Sequence, residues 1–505
     1  MQGARSLARL RVIHRYPVND GTLEYAEIRY RIRSSIKTMK KTKSITTLSA
    51  IIFTQIISHV YAGELSLGLS ERLQYANHKE YISVIVRMAD QTNLTAATQD
   101  ITGRNKALRS RNVIKTLRKT AIKGQEDLIV ILKKEKVSGD VARYTSFWIF
   151  NGLSLRATPE VIKKIASRDD VDKVSEDLPV SPPVLFPSAP LQSDSIYTWN
   201  IERIKAPEVW DMGYEGNGVV VGIFDTGVDY THPDLAEKYR GGDNSWFDPH
   251  EEYATPHDAA GEHTGHGTHV AGIILGGKAS GEHIGVAPGA KWIAAKAWNN
   301  KGESFASNIH EAFQWFMDPD GNPETDDAPD VVNNSWSQEE KFLGVFPQCK
   351  RDFQDDIRAW RAAGIIPVFS AGNSGPLFFT GESPANYPET VAVGATNYFD
   401  IISIMSSRGP GNCDLSIFPD ICAPGVSILS SFPGNDYRYG TGTSMACPHV
   451  VGTIALMLDA NPNQSMEEIE STLKETSEPL GLFHPNFNSG WGRVDALKAV
   501  SAAIP

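Results

Sequence analysis

Apolar positions along the chain change their spacing three times. From Ile45 to Ile57 they form a short uncharged run, behind Met39-Lys40-Lys41-Thr42-Lys43 and ahead of Val60-Tyr61-Ala62. A basic head, an apolar middle and small residues at the end make an export signal over 39–62, with cleavage expected after Ala62. The run is too short for a permanent membrane span. Residues 1–38 are rich in arginine and lack periodicity; translation is expected to start at Met39, which leaves 1–38 as an upstream extension.

Residues 79–178 follow a different pattern. Tyr81–Arg87 is β-branched and strand-like, and Asn105–Lys136 has helical spacing with many lysines and arginines. Ser146–Thr158 alternates as a strand through Phe147, Ile149 and Leu153. Pro159 opens a helix through Ile162 and Ile165, with Glu160 in its first turn. Val171–Ser175 reads as a last strand. The order β-α-β-α-β predicts a small α+β domain. Residues 179–195 contain Pro179, Pro182, Pro183, Pro187 and Pro190 and read as an extended linker.

In residues 196–505, short apolar runs (Val219–Asp225, Trp292–Trp298, Val331–Trp336, Ile365–Ala371, Val391–Ala395) alternate with helical patterns at Ile309–Met317, Asp356–Ala363 and Pro448–Leu458. The fold class this predicts is α/β, a doubly wound and mainly parallel sheet covered on both faces, preceded by the small α+β domain.

Charge sharpens this division. Residues 1–62 carry 11 Lys and Arg against 3 Asp and Glu, residues 63–180 carry 20 against 15, and residues 181–505 carry 18 against 42. The acidic charge argues against nucleic acid as a partner of the main domain, because phosphates would be repelled. It also attracts the basic segment before it. The four cysteines (Cys349, Cys413, Cys422, Cys447) lack a Cys-x-x-Cys spacing, which argues against a zinc cluster; Cys413 and Cys422 could pair in an exported chain, but spacing alone assigns no pairs.

Parallel sheets carry their active sites at the carboxyl ends of strands. Phe224-Asp225-Thr226-Gly227 sits at such an end. His266-Gly267-Thr268-His269 and Gly442-Thr443-Ser444-Met445-Ala446 each open a helix. A serine hydroxyl needs a base, an imidazole serves as one near neutral pH, and a carboxylate fixes the imidazole's tautomer. A serine at a helix N-terminus also has unpaired N–H groups beside it for a developing oxyanion. Asp225, His266 and Ser444 are therefore the candidate catalytic residues, in that chain order. His269 and His449 read as structural, and Cys447 as a small buried hydrophobe or a target for thiol reagents.

These three motifs, in this order, resemble the signatures of subtilisin-like serine peptidases. So do His232-Pro233-Asp234-Leu235 and Ser370-Ala371-Gly372-Asn373-Ser374-Gly375, and Pro384-Ala385-Asn386-Tyr387-Pro388 is similar to the bacillopeptidase F branch. The resemblance covers Trp199 to Val500. It implies a secreted serine endopeptidase with Asn373 in the oxyanion hole, and no cofactor for the chemistry. It places Asp234 at a calcium-ligand position, where a structural calcium would be bound together with a loop at Gly277–His283, although Ala279 stands where that loop has a side-chain amide. Residues 79–178 resemble the subtilisin propeptide, an inhibitor and folding aid, which implies self-cleavage within Asp177–Asp194.

The resemblance implies that substrate adds as a strand between Gly302–Ser304 and Ser335–Ser337. The primary pocket is expected to be walled by Ser335, Trp336, Ser337, Ser370, Ala371 and Gly372, and Trp336 predicts an apolar or aromatic preference there. The expected partners are protein or peptide substrates and the chain's own propeptide. No nucleic acid or stable membrane association is expected, and the protein is expected to be a monomer that is extracellular, with the periplasm or cell surface as alternatives. The competing reading is a catalytically silent peptide- or protein-binding module on the same fold. A dinucleotide-binding enzyme is excluded, because no Gly-x-Gly-x-x-Gly follows the first strand of the main domain.

Overall fold

The computed structural model describes residues 63–98, 106–191, 195–261, 263–338 and 349–505; the expected export signal and the stretch before it lie outside the described residues. The first sheet contains β1 (Glu64–Leu65), β2 (Ile82–Met88), β3 (Val141–Phe147), β4 (Gly152–Ala157) and β5 (Val171–Glu176), in the order β1-β5-β2-β4-β3. Helices α1 (Leu67–Tyr75), α2 (Leu94–Thr98), α3 (Lys106–Ser138) and α4 (Pro159–Ala166) accompany it. Two features depart from the sequence pattern. The sheet starts before residue 79, because β1 pairs in parallel with β5. The single strand expected over 146–158 is the second half of a hairpin, β3 turning into β4 through Asn151, whose φ of 42° is one that asparagine tolerates. Alternation across a tight turn looks like alternation along one strand.

Helix α3 serves two cores. Its buried positions are spaced by three, four or one, and include Val113, Ile114, Leu117, Leu128 and Leu132. Leu128 and Leu132 pack in the small domain's own core, whereas Val113, Ile114 and Leu117 join the core of the main domain.

The main domain begins with β6 (Phe186–Pro187), α5 (Trp199–Arg203) and α6 (Ala206–Asp211). Then come β7 (Val220–Asp225), β8 (Trp246–Phe247), α7 (His266–Leu275), β9 (Lys291–Lys296), α8 (Ala306–Met317), β10 (Val331–Asn334), α9 (Gln354–Ala363), β11 (Ile366–Ser370), β12 (Val391–Thr396) and β13 (Ile421–Pro424). The chain ends with β14 (Ile428–Phe432), β15 (Asp436–Thr441), α10 (Thr443–Ala460), α11 (Met466–Thr476) and α12 (Ala496–Ala503). Seven strands form one parallel sheet in the order β13-β12-β11-β10-β7-β9-β8. Successive side chains of a strand enter opposite layers. Ile223 thus packs with α7 and α10 on one face, and Phe224 with α8 and α9 on the other. Strand order reverses at β7, so the crevice at its carboxyl end is where a ligand site belongs.

The two domains meet through main-chain pairing and charge. Val180 N–H donates to Ser304 O at 3.0 Å, Ala306 N–H to Leu178 O at 2.9 Å, and Trp298 Nε1–H to Val180 O at 2.8 Å. Beyond this point the linker pairs again, as β6 adds antiparallel to β15. On α8, Ser307 binds the Asp177 carboxylate through N–H (2.9 Å) and Oγ (2.8 Å), and Gln314 Oε1 accepts from Trp148 N–H at 2.7 Å. The basic face of α3 meets the acidic loop after α8. Arg118 pairs with Asp318 (2.5 Å), Lys115 and Arg111 with Glu324 (2.5 and 3.0 Å), and Lys106 with Asp330 (3.2 Å). Among the described residues no helix is long and apolar enough to cross a membrane.

Candidate active site

β7 is a fully apolar strand until Asp225, so the carboxylate emerges from the sheet at its end and is itself wholly buried. His266 opens α7, and its Nδ1–H donates to Asp225 Oδ1 at 2.9 Å and Oδ2 at 3.0 Å. The first turn of α7 lies directly on the loop after β7: a Cβ at Gly267 would stand 2.2 Å from Gly227 O and 3.0 Å from Asp225 Cβ. Only glycine allows that approach, and the approach brings imidazole to carboxylate.

A second buried carboxylate, missed in the sequence, holds this turn in place. Asp258 accepts from Gly265 N–H (2.8 Å), Thr268 N–H (3.1 Å) and Thr268 Oγ1 (2.7 Å), and Thr226 Oγ1 donates to it at 3.2 Å. Burial pushes its carboxyl up to about 6, against the pull of these donors and of Lys296. Lys296 is also buried, donates through Nζ to Thr226 O at 2.8 Å, and is held below the ordinary lysine range by that burial. Neither residue lies in a motif, so only the fold reveals them.

Ser444 sits in the first turn of α10, 5% exposed. Its Oγ–H donates to Ser335 O at 3.2 Å, and His266 Nε2 is buried without a hydrogen-bond partner. The serine–imidazole contact is therefore not made in this structure. Asn373 faces the same turn: its Oδ1 accepts from Thr443 N–H (2.9 Å) and Thr443 Oγ1 (3.0 Å), which leaves Nδ2 as the outward donor. The other two histidines are spectators. His269 bonds Arg438 O at 2.9 Å and His449 bonds Met445 O at 2.8 Å; burial lowers them to about 3 and about 4, so both are neutral.

A cavity of about 340 Å³ opens beside Ser444 and Asn373, walled by Ser335, Trp336, Ser337, Ser370 and Gly372, and lined also by linker residues 181–184 and Phe186. Gly302 lies where Ser304 pairs with the linker, and a Cβ there would be 3.1 Å from Pro182. Two expected wall residues behave otherwise. Ala371 is buried in the core, and the Trp336 ring is only 2% exposed, packed against Phe224, Trp298 and Phe353. That ring cannot act as an aromatic selector. Glu382, unforeseen, lines the cavity instead.

The candidate ion ligand Asp234 has both oxygens engaged by donors, Ala279 N–H at 2.8 Å and Tyr437 Oη–H at 2.5 Å. With Ala279 supplying no side-chain oxygen, this donor set does not fit a calcium ion, which wants six or more oxygens. Asp318, Asp320 and Asp327 bring carboxylate oxygens within 4.8 Å of one another, and Arg118 faces that cluster. Cys349 is bonded to Cys413, not Cys413 to Cys422. Cys422 and Cys447 are buried free thiols; burial pushes Cys422 up to about 12 and Cys447 well above its ordinary range, so neither is a ready target for thiol reagents.

Compared with known proteins, residues 216–492 match the Subtilase family and residues 83–182 match the peptidase inhibitor I9 family. The chain is similar to bacillopeptidase F of Bacillus subtilis (strain 168), 38% identical over 461 residues, 85% of this chain and 31% of that protein. It therefore spans less than a third of that relative. It is also similar to M-protease of Shouchella clausii (strain KSM-K16), 31% identical over 71% of this chain and 82% of the relative, and to subtilisin Savinase of Lederbergia lenta, 34% identical over 56% and 92%.

Proposed function

The chain belongs to the subtilase family of serine peptidases, with an I9 inhibitor domain in front, and on that premise we propose that it is a secreted endopeptidase made as a self-processing zymogen. One observation carries this reading. The chain's own segment 178–188 lies across Ser444 as an added strand, paired with Ser304–Ala306 on one side and with β15 on the other. A peptide held by its backbone at both ends of a nucleophile's cleft is held as a substrate.

In this reading Ser444 Oγ turns from Ser335 O to His266 Nε2 and attacks the carbonyl carbon, while Nε2 takes its proton. Asp225 stabilises the imidazolium through Nδ1. The oxyanion accepts from Asn373 Nδ2–H and the Ser444 N–H, which has no acceptor within its helix. The imidazolium then protonates the leaving amine, the C–N bond breaks, and water repeats the sequence on the acyl-enzyme. The family's chemistry requires no cofactor.

Between Val180 and Pro187, the paired ends of the crossing segment, three bonds place proline on the leaving side: Ser181–Pro182, Pro182–Pro183 and Phe186–Pro187. Between the paired ends this leaves Pro183 to Phe186, with Val184–Leu185 in the middle, as the processing site.

Residues 63–505 and the Ser444→Ala form should be compared on a gel and on casein. The wild type should shed a fragment of propeptide size, with Leu185 at the new N-terminus, and clear casein; the variant should stay whole and lose activity by about 10⁶-fold, the loss recorded for subtilisin itself. A folded wild type that neither processes nor hydrolyses sinks the reading in favour of a silent binding module. A new terminus outside 184–186 sinks only the assigned bond.

A further inference from the structure

We infer that Glu382 is the specificity determinant of the primary pocket and selects lysine or arginine as the residue before the cut. This rests on the peptidase reading above and adds the substrate class to it.

The carboxylate lines the cavity beside the nucleophile, yet Glu382 is only 8% exposed. Two hydroxyls orient it: Ser374 Oγ–H donates to Oε1 at 2.5 Å, and Ser337 Oγ–H donates to Oε2. The opposite wall is cut back to admit it. A Cβ at Gly372 would lie 2.6 Å from Glu382 Cδ, and Gly372 has φ of +104°, so glycine is required there on both counts. A buried carboxylate held in this way favours a cation that reaches it, strands an apolar side chain against a charge, and repels an acidic one. Arginine can meet it with two parallel hydrogen bonds. The Trp336 ring does not compete, since it is turned into the core.

The linker fits this assignment as a poor occupant. It presents Ser181, Pro182, Pro183, Val184 and Phe186 to the cavity, and no Lys or Arg lies between Lys173 and Arg203. None of these linker residues carries a cation that could meet Glu382. Self-processing would therefore proceed by proximity rather than by side-chain recognition.

The test uses self-processed enzyme on peptides that differ only before the cut, carrying Arg, Lys, Leu, Phe or Glu. The expected kcat/KM for Arg or Lys exceeds that for Leu by at least about tenfold, a Glu382→Gln variant loses that ratio, and Glu382→Lys shifts it toward Glu. A wild type that prefers Leu or Phe overturns the proposal. So does a Glu382→Gln variant that slows all peptides alike, for then the carboxylate only buttresses Ser337 and Ser374. Should the variants fail to process, inhibition of the wild type decides: benzamidine should compete and neutral benzamide should not, and equal potency overturns the assignment. If no peptide is cleaved and no Ser444-dependent processing occurs, the peptidase reading itself falls and takes this inference with it.

Discussion

Asn373 is held by its oxygen: Thr443 N–H and Oγ1 both donate to Oδ1, so the amide cannot rotate without losing two bonds, and its –NH₂ is fixed outward. In the proposed mechanism, a donor fixed this way meets charge that exists only in the transition state. Asn373→Ala should therefore lower kcat by about 10²–10³-fold with little change in KM, the size of effect recorded when such a donor is removed from subtilisin. Steady-state kinetics on one peptide decides; a risen KM with kcat intact would make Asn373 a substrate-binding residue instead. At this scale the sequence is most legible where chemistry needs a local signature. Asp225, His266 and Ser444 announce themselves because each opens or ends an element beside small residues that permit close approach. Glu382, Asp258 and Lys296 do not. Each is a lone charged residue in a loop or strand, and reaches the site only because distant segments fold over it.

Elements were legible wherever the hydrophobic period was unbroken. β7, β10, β11 and β12 lie within a residue or two of the runs that predict them, since strands buried on both faces read as continuous apolar stretches. The β3–β4 hairpin and the two-residue strands β1, β6 and β8 have no such run, and pairing partners define them. The same holds for covalent pairing: spacing left the pairs unassigned, with Cys413–Cys422 as one possibility, but Cys422 sits within β13 with its side chain in the core, and Cys413 meets Cys349 across a separation of 64 residues. The closed loop contains α9, β11 and β12, and with them both Asn373 and Glu382. Closing so long a loop restricts the unfolded chain, so the double variant Cys349→Ser, Cys413→Ser should lose about 2–4 kcal/mol of stability in denaturant unfolding. No change in the unfolding midpoint would mean that the bridge closes a segment already ordered without it.

For the whole molecule, the decisive relation is between the inhibitor domain and the face that receives it. Most of the ion pairs of α3 are partly exposed and individually weak, so they guide docking more than they hold it. Burial against α8 does more, and it carries a proton. Glu311 lies on α8 near Trp148 and Arg143 of the inhibitor domain, and its carboxyl is pushed from its ordinary 4.5 up to about 7, chiefly by burial and further by Asp177 and Glu251, while Arg143 and His310 pull it down. Asp177, in the same interface, is raised as well, again by burial. Removing the inhibitor domain uncovers Glu311, so its pKa falls back toward the ordinary value and docking takes up a proton. A group whose pKa is raised by docking supports the docked state fully below about 4.5 and loses that support as pH rises through about 7. Processed enzyme should accordingly be held most tightly by its own inhibitor domain in mild acid and released as pH rises, with a change of about tenfold in inhibition across that window. Glu311→Gln, which is neutral at every pH, should flatten most of the slope while leaving tight inhibition at the acid end. Inhibition of the processed enzyme measured from pH 5 to 8 in both forms checks this. A slope that survives in Glu311→Gln would move the proton to Asp177, and a slope of opposite sign would show that charge attraction, not burial, governs release.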